Sequence, residues 1–512
     1  MPKQYLSARR GESELPNGWT WTTVGEITTP VEKVKPRERP DSEFIYLDIS
    51  SINNSKNKIT KPKNYIGADA PSRARQLVHA NDVLFSTVRT YLKNIALVPE
   101  IYDGQIASTG FSVLRCRDRF SPKFLFYYTL TDDFISALSN LQRGTSYPAV
   151  RDSDVREQII PLAPFNEQKR IVAKMEELFS QLDAGMAELR RVQANLARYK
   201  ASVLKAACEG RLVPTEAELA WVEGRDYESG EELLRRILDE RKKRWEEEQR
   251  AKGKDPSKMN YREPEAPNTE GLPELPEGWV WATVEQLGAV NEQPVLTGPF
   301  GSNLGSNDFV ESGVPVLTIG SLSEQGLDLR KAKYISESKA SELNRYRVRE
   351  GDLLFSRMAT VGRAGLVTPQ YEGTIINYHL MRLRLSKHAI EPTYFISYVR
   401  GSDTVTDYVG EVNHGATRDG INTKQLLSMP VALPPIAEQF RIIEEVEQKL
   451  SVVQKMEAVT DANLKRAERL RQAILKRAFE GKLVPQDPED APASKLLEQI
   501  GTQRNLDQGS RW

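Results

Sequence analysis

Apolar residues recur at helical spacing in two long stretches of this chain. The apolar positions step by three and four residues, which is the spacing of a coiled-coil seam. The first seam comprises Ile171, Met175, Leu178, Leu182, Met186, Leu189, Val192, Leu196, Tyr199 and Val203. The second begins with Ile442, Val446, Leu450, Val453 and Met456 and continues, after a gap, with Ala467, Leu470, Ile474 and Ala478. Gly210 and Gly481 follow the stretches, as glycine commonly follows a helix. The pattern predicts two long helices, the first being a rod of about 65 Å at about 1.5 Å per residue.

Short runs of β-branched and aromatic residues, broken by Gly, Asn and Pro, precede each long helix. Each set of runs opens with a Trp-x-Trp strand, at Trp19 and Trp279, whose tryptophans are expected in the core. A capping box then starts a short helix. The predicted strands cover 43–52, 82–88, 111–116, 314–322, 352–358 and 379–385, the capping boxes are Thr23-x-x-Glu26 and Thr283-x-x-Gln286, and single helices are predicted over 122–138 and 392–409. Two α+β globular modules follow from this pattern.

The second half of the chain repeats the first. Residues 144–214 and 415–485 correspond at a constant offset of 271 residues, and KAACEGRLVP in one matches KRAFEGKLVP in the other. Upstream, where LPNGWTW matches LPEGWVW and NDVLFS matches GDLLFS, the offset drifts. A constant register in the helices and a drifting one elsewhere predicts a pseudo-two-fold internal repeat of two fixed helices and two freely varying modules.

The predicted organisation has seven segments. The two modules are expected to be separated by the two long helices, packed antiparallel. The segments are an N-terminal tail (1–14), module 1 (15–160), the first long helix (161–214), a charged helical or flexible linker (215–270), module 2 (271–434), the second long helix (435–485) and a C-terminal tail with a short helix (486–512). Leu233, Leu234 and Ile237 in the linker predict a short docking helix, which SKLLEQI near the C-terminus repeats.

Charge and cysteine content restrict the function classes. The chain has 71 Lys and Arg against 71 Asp and Glu, so it is not a basic protein overall. Residues 1–160, which include module 1, carry 22 basic and 18 acidic residues. Residues 271–435, which include module 2, carry 15 basic and 18 acidic residues. A nucleic-acid ligand would therefore need basic partners or charge clustered on one face. With only Cys116 and Cys208, and no apolar run of about 18 residues, we expect a cytoplasmic protein without a membrane segment.

Catalytic motifs are missing from the sequence. The chain has no Gly-x-x-x-x-Gly-Lys-[Ser/Thr] phosphate loop and no Asn-Pro-Pro-aromatic tetrad of an amino-methyltransferase. The four histidines, His79, His379, His388 and His414, are scattered without metal-ligand spacing. Cys208 lies on the first long helix, where a buried structural thiol is expected. The sequence predicts no active site and no metal site.

Four motifs, each present twice, resemble a known family. They are LP-x-GW-x-W, the strand containing LFS, the EQ-x-x-I entry to a long helix, and the EG-[RK]-LVP exit. Together they resemble the specificity subunit of type I restriction-modification enzymes, over about 15–214 and 275–500. The resemblance implies two target recognition domains, each reading half of a split double-stranded DNA sequence, with the antiparallel helices as spacer. It also implies two methyltransferase subunits and two restriction and translocase subunits as partners, which would bind S-adenosylmethionine, ATP and Mg²⁺, and no catalysis by this chain.

DNA-contacting residues are expected on loops and strand ends that can face a groove. Base readout requires side chains such as Arg, Lys, Asn, Ser or Thr at those places. The candidates in module 1 are Asn53, Asn54, Lys56, Arg89, Lys93, Arg143, Thr145, Ser146 and Tyr147. Those in module 2 are Arg357, Arg363, Asn377, Tyr378, His414, Thr417 and Arg418. After the LFS strand, Arg357 and Arg363 are taken as the positions that match Arg89 and Lys93. Arg89 and Arg357 could equally be solvated charges, and Tyr147 could pack. Asp82 and Asp352 are expected to cap turns.

Two other functions remain open from the sequence. The first is a DNA-independent coiled-coil scaffold or adaptor with two ligand-binding modules. The second is an autonomous nuclease or methylase. Sequence-specific duplex binding distinguishes the specificity subunit from the scaffold, and activity of a purified single chain would support the enzyme.

Overall fold

The chain forms two compact units. In the computed structural model, the described residues are 15–144, 146–290, 292–301, 303–323, 326–357, 363–414 and 420–499, with residues 413 and 414 described by their backbone alone. Unit 1 is Met1–Arg191 with Thr460–Trp512, and unit 2 is Val192–Val459. Each unit therefore holds one predicted module, part of the first long helix and part of the second.

Unit 1 is built from short strands in small sheets. The strands are β1 (Thr20–Thr23), β2 (Thr28–Thr29), β3 (Glu43–Leu47), β4 (Ile52–Asn53), β5 (Lys58–Ile59), β6 (Lys63–Ile66), β7 (Ala74–Leu77), β8 (Val83–Ser86), β9 (Ile95–Leu97), β10 (Ile106–Ser108), β11 (Phe111–Cys116) and β12 (Ile159–Leu162). They form four-stranded sheets in the orders β6-β3-β10-β7 and β2-β11-β8-β9, together with the pairs β1-β12 and β4-β5. The pairing is antiparallel except between β10 and β3, where Ile106 lies opposite Tyr46.

Unit 2 repeats this topology in one four-stranded sheet and in both strand pairs, and the order of its other sheet differs. Its strands are β13 (Val280–Thr283), β14 (Val295–Thr297), β15 (Phe309–Val310), β16 (Val314–Leu317), β17 (Leu322–Ser323), β18 (Gly326–Leu327), β19 (Lys333–Ile335), β20 (Leu353–Ser356), β21 (Ala364–Leu366), β22 (Ile375–Ile376), β23 (Leu380–Leu383) and β24 (Pro430–Leu433). The four-stranded sheets are β14-β23-β20-β21 and β15-β19-β16-β22, and the pairs are β13-β24 and β17-β18. Here too one pairing is parallel, between β16 and β22.

The helices of the two units correspond in part. They are α1 (Val24–Ile27), α2 (Pro122–Thr129), α3 (Asp132–Ser139), α4 (Asp152–Arg156), α5 (Phe165–Cys208), α6 (Glu216–Glu223), α7 (Gly230–Ala251), α8 (Val284–Leu287), α9 (Glu337–Glu342), α10 (Pro392–Gly401), α11 (Asp403–His414), α12 (Thr423–Leu427) and α13 (Ile436–Phe479). Both predicted capping boxes are confirmed at the starts of α1 and α8. The predicted α+β class with two long helices is confirmed. None of the helices within the described ranges is long and apolar enough to cross a membrane.

The predicted single helices over 122–138 and 392–409 are wrong, because each is two helices. In the first, α2 ends just before Thr131 and α3 begins just after it. The Thr131 hydroxyl starts α3 by accepting a hydrogen bond from the Phe134 N–H at 3.3 Å. Ser402 does the same between α10 and α11, accepting from the Val405 N–H at 3.4 Å. A side chain that caps a new helix competes with continuation of the old one. The break lets each helix pair pack two faces into the core.

The charged linker contains more helix than its composition suggested. The short helix predicted around Leu233 is α7, which continues to Ala251. Leu233, Leu234 and Ile237 are buried in the core of unit 2, as expected for a docking helix. Beyond them, ion pairs one turn apart, such as Arg250 with Glu246 at 3.0 Å, follow the exposed face of α7. Pairs at this spacing stabilise a helix modestly, by about 0.3–0.5 kcal/mol each.

The long helices α5 and α13 pack antiparallel within each unit. In unit 1, Arg471 near the end of α13 forms an ion pair with Asp183 and lies 4.7 Å from the ring of Phe179, both early in α5. In unit 2 the order is reversed, because Lys449 early in α13 hydrogen-bonds Tyr199 late in α5. The predicted seam is buried at most positions. It is wrong at four of them, where the apolar side chains are 41–51% exposed: Val192, Tyr199, Met456 and Leu470.

The end of each long helix closes a module core in the same way. In unit 1, Gly481 follows α13 with φ of +66°, and a Cβ there would lie 2.4 Å from Pro16 Cγ. In unit 2, Gly210 follows α5 with φ of +63°, and its Cβ would lie 2.5 Å from Pro276 Cγ. The indoles of Trp19 and Trp279 are the next atoms beyond the prolines. Glycine is therefore required at both helix exits by backbone conformation and by space.

Candidate nucleic-acid interface

Three loops of unit 1 meet at the end of strand β8. The loop after β8 places Arg89 and Lys93 in the left-handed region, with φ of +48° and +50°. The Arg89 N–H donates to the Pro148 carbonyl at 2.8 Å, and the Arg89 guanidinium donates to the Ser146 carbonyl at 3.1 Å. The same guanidinium lies 4.9 Å from the centre of the Tyr147 ring. The loop after β8 is thereby joined to the loop around residue 146.

The β4–β5 hairpin is the third of these loops. The Asn54 amide donates to the Leu92 carbonyl at 3.0 Å, which joins the hairpin to the loop after β8. The Asn57 amide adds bonds to the Lys93 and Ile95 carbonyls. We call the surface of residues 53–57, 89–93, 143–144 and 146–148 loop cluster 1. The structure thus brings together every described candidate of module 1, although the three groups are far apart in sequence.

Two charged side chains of loop cluster 1 form ion pairs. Lys93 forms an ion pair with Asp132 at 2.8 Å, and Arg143 forms one with Asp154 at 3.2 Å. Asn53 accepts from the Lys56 N–H at 3.1 Å and so shapes the hairpin turn. Tyr147 is 72% exposed, and Tyr91, which was not among the candidates from the sequence, is 53% exposed. An exposed ring beside a guanidinium is suited to contact with sugar or base.

The hydrogen-bond framework of this surface is repeated in unit 2. Thr87 donates its N–H to Gly110 and accepts from the Val150 N–H, at 2.9 Å each. Arg357 makes the same two bonds, to His379 and from Ile421, at 3.0 Å each. The prediction that Arg357 matches Arg89 is therefore wrong by two residues, because the framework pairs Arg357 with Thr87. Sequence alignment of the LFS strands alone could have shown this offset.

An aromatic group surrounds Arg357 in unit 2. Phe300, which is 57% exposed, stacks on Tyr378 with 6.3 Å between ring centres, and the Arg357 guanidinium lies 5.7 Å from the Phe300 ring. His379 lies against Tyr378 at 3.8 Å. Burial, and secondarily the charge of Arg357, lowers the pKa of His379, so its ring is neutral at pH 7. Phe300 was missed because its partners Tyr378 and Arg357 are distant in sequence, and His379 was considered only as a metal ligand.

The other candidates of module 2 have different places. Asn377 is buried, and its side-chain oxygen accepts from the His379 N–H at 3.2 Å, so it shapes the backbone beside the aromatic group. The Arg363 guanidinium donates to the Leu322 carbonyl of the β17–β18 hairpin at 3.4 Å. We call the described surface of Phe300, Arg357, Arg363, Tyr378 and His379 loop cluster 2. Thr145, the His414 side chain, Thr417 and Arg418 lie outside the described residues.

In each unit, a buried ion pair fixes the strand that leads into the loop cluster. Asp82 accepts from the His79 N–H at 2.8 Å, as expected for a turn, and also binds Arg115 at 2.8 Å. Asp352 accepts from the Arg349 N–H at 2.7 Å and binds Arg384 through two contacts of 2.6 Å. Hydrogen bonding to Asp82 raises the pKa of Arg115. The ion pairs hold strands β8 and β20, and therefore the loops that follow them, against β11 and β23.

The EQ motif anchors each long helix to its module. Gln439 accepts from the Glu391 N–H at 2.9 Å and donates to the Pro434 carbonyl at 3.0 Å, and Gln168 makes the equivalent bonds in unit 1. Glu438 is fully buried and accepts from the Trp279 indole at 2.9 Å and from the Glu216 N–H at 2.8 Å. Burial raises the pKa of Glu438. These bonds explain why the motif residues stand at the helix entry.

Neither cysteine has the surroundings of a nucleophile. Cys208 is buried, and its thiol lies 3.6 Å from the Tyr398 carbonyl, so the prediction of a structural thiol agrees with its position. Burial raises the pKa of Cys208, and it raises the pKa of Cys116 to about 12. Within the described ranges no group of three or more His, Cys, Asp or Glu side chains could hold a metal ion.

Comparisons with known proteins agree with the repeated fold. The model of a family described as the type I restriction modification DNA specificity domain matches residues 16–190 and 278–456. The EcoKI specificity subunit of Escherichia coli (strain K12) is 25% identical over 521 residues, covering 97% of this chain and 98% of that protein. The StySPI specificity subunit of Salmonella potsdam is 22% identical over 522 residues, with the same coverage.

One solved structure is similar over most of the chain. It is described as concerning complex assembly and conformational transition of the type I R-M system. The TM-score is 0.67 at 29% identity, and the match covers 92% of this chain and all of the other. The family match covers more than half of the present chain and falls once on each unit. The chain therefore belongs to the type I restriction-modification specificity subunits, as its repeated motifs implied.

Proposed function

We propose that the chain recognises a bipartite double-stranded DNA sequence, with loop cluster 1 reading one half-site and loop cluster 2 the other. The observation that supports this most is the repeated framework around Thr87 and Arg357, which carries different side chains in the two units. A shared framework presents loops at the same place on a module. Different side chains on those loops then read different bases.

The chemistry of each cluster favours a different type of contact. Loop cluster 1 offers Lys56, Arg89, Ser146 and Tyr147, which suit phosphate and base-edge contacts together. Loop cluster 2 offers an arginine against two stacked rings, which suits a base or sugar placed on an aromatic face. The near-zero charge of the whole chain means that partner subunits supply much of the phosphate attraction.

We further propose that the long helices determine the number of unread base pairs between the half-sites. Four residues inserted into α5 and four into α13 would lengthen the pair by about 6 Å, at about 1.5 Å per residue. That length is close to two base pairs, since a turn of about 10 base pairs spans about 34–36 Å. The preferred gap is expected to lengthen or specific binding to be lost. An unchanged gap with intact affinity would contradict this part of the proposal.

We infer the partners and cofactors from membership of the family. Two methyltransferase subunits and two restriction and translocase subunits are proposed to assemble on this chain in the cytoplasm, and they would bind S-adenosylmethionine, ATP and Mg²⁺. The chain itself is proposed to catalyse no reaction. Mass measurement of the reconstituted complex, and methylation assays with and without this chain, test these statements.

Duplex binding with scrambled half-sites is the experiment that separates this function from a DNA-independent scaffold. The chain is assembled with its methyltransferase partner and offered duplexes in which one half-site at a time is scrambled. Scrambling either half-site should reduce affinity by a large factor, while scrambling the gap should not. Equal affinity for all duplexes would favour the scaffold.

A further inference from the structure

A cavity of unit 2 lies away from loop cluster 2. It has a volume of about 430 Å³ and is lined by the segments around residues 292–296, 344–349 and 372–373 and by β23. Arg382 on β23 lines the cavity four residues after Tyr378 of loop cluster 2. Arg382 lies within β23, whereas Tyr378 lies in the turn before that strand, and none of the residues that define loop cluster 2 lines the cavity. The cavity is therefore separate from the proposed reading surface of the same unit.

Arginine dominates the lining of this cavity. Two of the lining residues are acidic, Glu292 and Glu372, and a third carboxylate, that of Asp352, binds Arg384. Against these three carboxylates stand five guanidinium groups, an excess of two positive charges. The arginines are Arg345, Arg347, Arg349, Arg382 and Arg384. Guanidinium groups present paired donors that match the oxygens of a phosphate.

Arg382 is the most deeply buried of these arginines. Its side chain is 5% exposed, and its carboxylate contact, to Glu292, is long at 3.8 Å. One terminal nitrogen donates to the Arg345 and Arg347 carbonyls, and Nε is buried without a hydrogen-bond partner. A buried charge with an unsatisfied donor is costly unless an anion or acceptor reaches it. A ligand oxygen entering the cavity would satisfy both needs.

Unit 1 shows that the fold does not require these arginines. Its Asp82–Arg115 pair is equivalent to Asp352–Arg384, because Asp82 also accepts from the N–H three residues before it. Two residues before Arg115 on the strand, however, stands buried Val113, where unit 2 has Arg382. The same alignment places Leu77 opposite Arg347 and His79 opposite Arg349. The same alignment pairs Arg75 with Arg345, so the arginines without an arginine counterpart in unit 1 are Arg347, Arg349 and Arg382. The ion pair is shared for structural reasons, and these three arginines are the additional charges of unit 2.

We propose that this cavity binds a small molecule carrying a phosphate monoester. A phosphate monoester carries about −1.5 to −2 charges at pH 7 and three acceptor oxygens, which match the excess charge and the free donor. The volume is within the range of small-molecule sites, about 300–1,000 Å³. Leu296 and Val348 provide an apolar wall for the remainder of the ligand. The phosphate of a duplex backbone is the alternative source, and it is less suited to the depth of Arg382.

Calorimetric titration of the full-length chain tests the proposal. The probes are inorganic phosphate and adenosine 5′-monophosphate, with adenosine as the control without phosphate, at constant ionic strength. Saturable binding of one monophosphate per chain is expected, together with a higher melting temperature and no response to adenosine. No saturation, or an equal effect of sulfate and chloride, would overturn the proposal.

Two sets of variants locate the site. Arg382→Val copies the residue of unit 1 and should abolish binding, and the double variant Arg345→Ala with Arg349→Ala removes two exposed donors without touching the core. The double variant should weaken binding about tenfold or more, which is typical when hydrogen bonds to a charged group are lost. Arg330→Ala is the matched control, because Arg330 is highly exposed in the same unit and pairs with Asp328. Equal weakening in the control would overturn the assignment.

Duplex binding by the same variants distinguishes the two phosphate sources. A free phosphate ligand predicts that Arg382→Val keeps the affinity and half-site preference of the wild type. Parallel loss of duplex affinity, with a shallower salt dependence, would show that the cavity holds a backbone phosphate and would overturn the small-molecule assignment. This inference does not depend on bipartite recognition, since the titration needs no DNA.

Discussion

Removal of Asp352 should destabilise unit 2 far more than a typical surface substitution. The side chain of Asp352 is 2% exposed and that of Arg384 is 11% exposed, and two contacts of 2.6 Å join them. Breaking a buried ion pair from one side costs about 3–5 kcal/mol, because the other charge is left buried. In Asp352→Ala, the carboxylate bond to the Arg349 N–H is lost as well, which adds about 1 kcal/mol.

One residue reduces this cost. Glu292 also contacts Arg384, so the arginine keeps one carboxylate when Asp352 is removed. We therefore expect a total in the lower half of the sum, about 4–5 kcal/mol. The hydrogen bond of Asp352 to Arg349 also fixes the turn that precedes β20. Loosening that turn should displace loop cluster 2 and leave loop cluster 1 in place.

Chemical denaturation followed by intrinsic fluorescence measures the effect. Because the chain has two compact units, their transitions are analysed separately rather than as one two-state event. Asp352→Ala should move the transition assigned to unit 2, and Asp82→Ala the one assigned to unit 1. Asp328→Ala removes an exposed ion pair with Arg330 and should change little. A loss for Asp352→Ala as small as that of the Asp328 control would refute the buried-pair reasoning.

Three further predictions follow from named contacts. Gly481→Ala should lower the unfolding free energy of unit 1 by more than about 1 kcal/mol, since φ is positive and the new Cβ meets Pro16. Gly253→Ala, with φ of +74° and open space around the new Cβ, should cost less in the same denaturation assay. Glu438→Gln should remove a pH-dependent contribution to the free energy of unfolding, because burial raises the pKa of Glu438 above its ordinary 4.5. The neutral carboxyl contributes its full stabilisation below pH 4.5, and this contribution falls as the pH rises through the pKa of the folded state. Equal slopes of unfolding free energy against pH for variant and wild type would contradict this. Arg357→Ala should weaken DNA binding by about 1–3 kcal/mol and relax discrimination in one half-site, and wild-type affinity and specificity would remove Arg357 from the interface.

Sequence patterns predicted the elements of this fold well where the signal is local. The strand Phe111–Cys116 was predicted to the residue, and the two long helices and both capping boxes were found from spacing. The breaks at Thr131 and Ser402 were missed because a capping hydroxyl inside an apolar stretch leaves the apolar spacing unchanged. Exposed seam residues such as Leu470 were missed because periodicity does not tell how far a partner helix covers a face.

The candidate interface was predictable in part. Loop residues such as Arg89 and Tyr147 were selected by residue type and position, and the structure brings them together through bonds between loops. The pairing of Asp82 with Arg115 could not be predicted, since 33 residues separate them and Arg115 belongs to none of the repeated motifs. Phe300 was missed for the same reason, because its significance lies in its stacking on Tyr378 across the module.

The central claim is that each unit reads its own half of a split duplex sequence. Mapping methylated bases in cells that carry the partner subunits, with the wild-type chain and with residues 271–434 exchanged for those of another family member, tests it most directly. The account predicts a split motif in which the exchange changes one half and leaves the other half unaltered. A continuous motif, or a change in both halves, would contradict it.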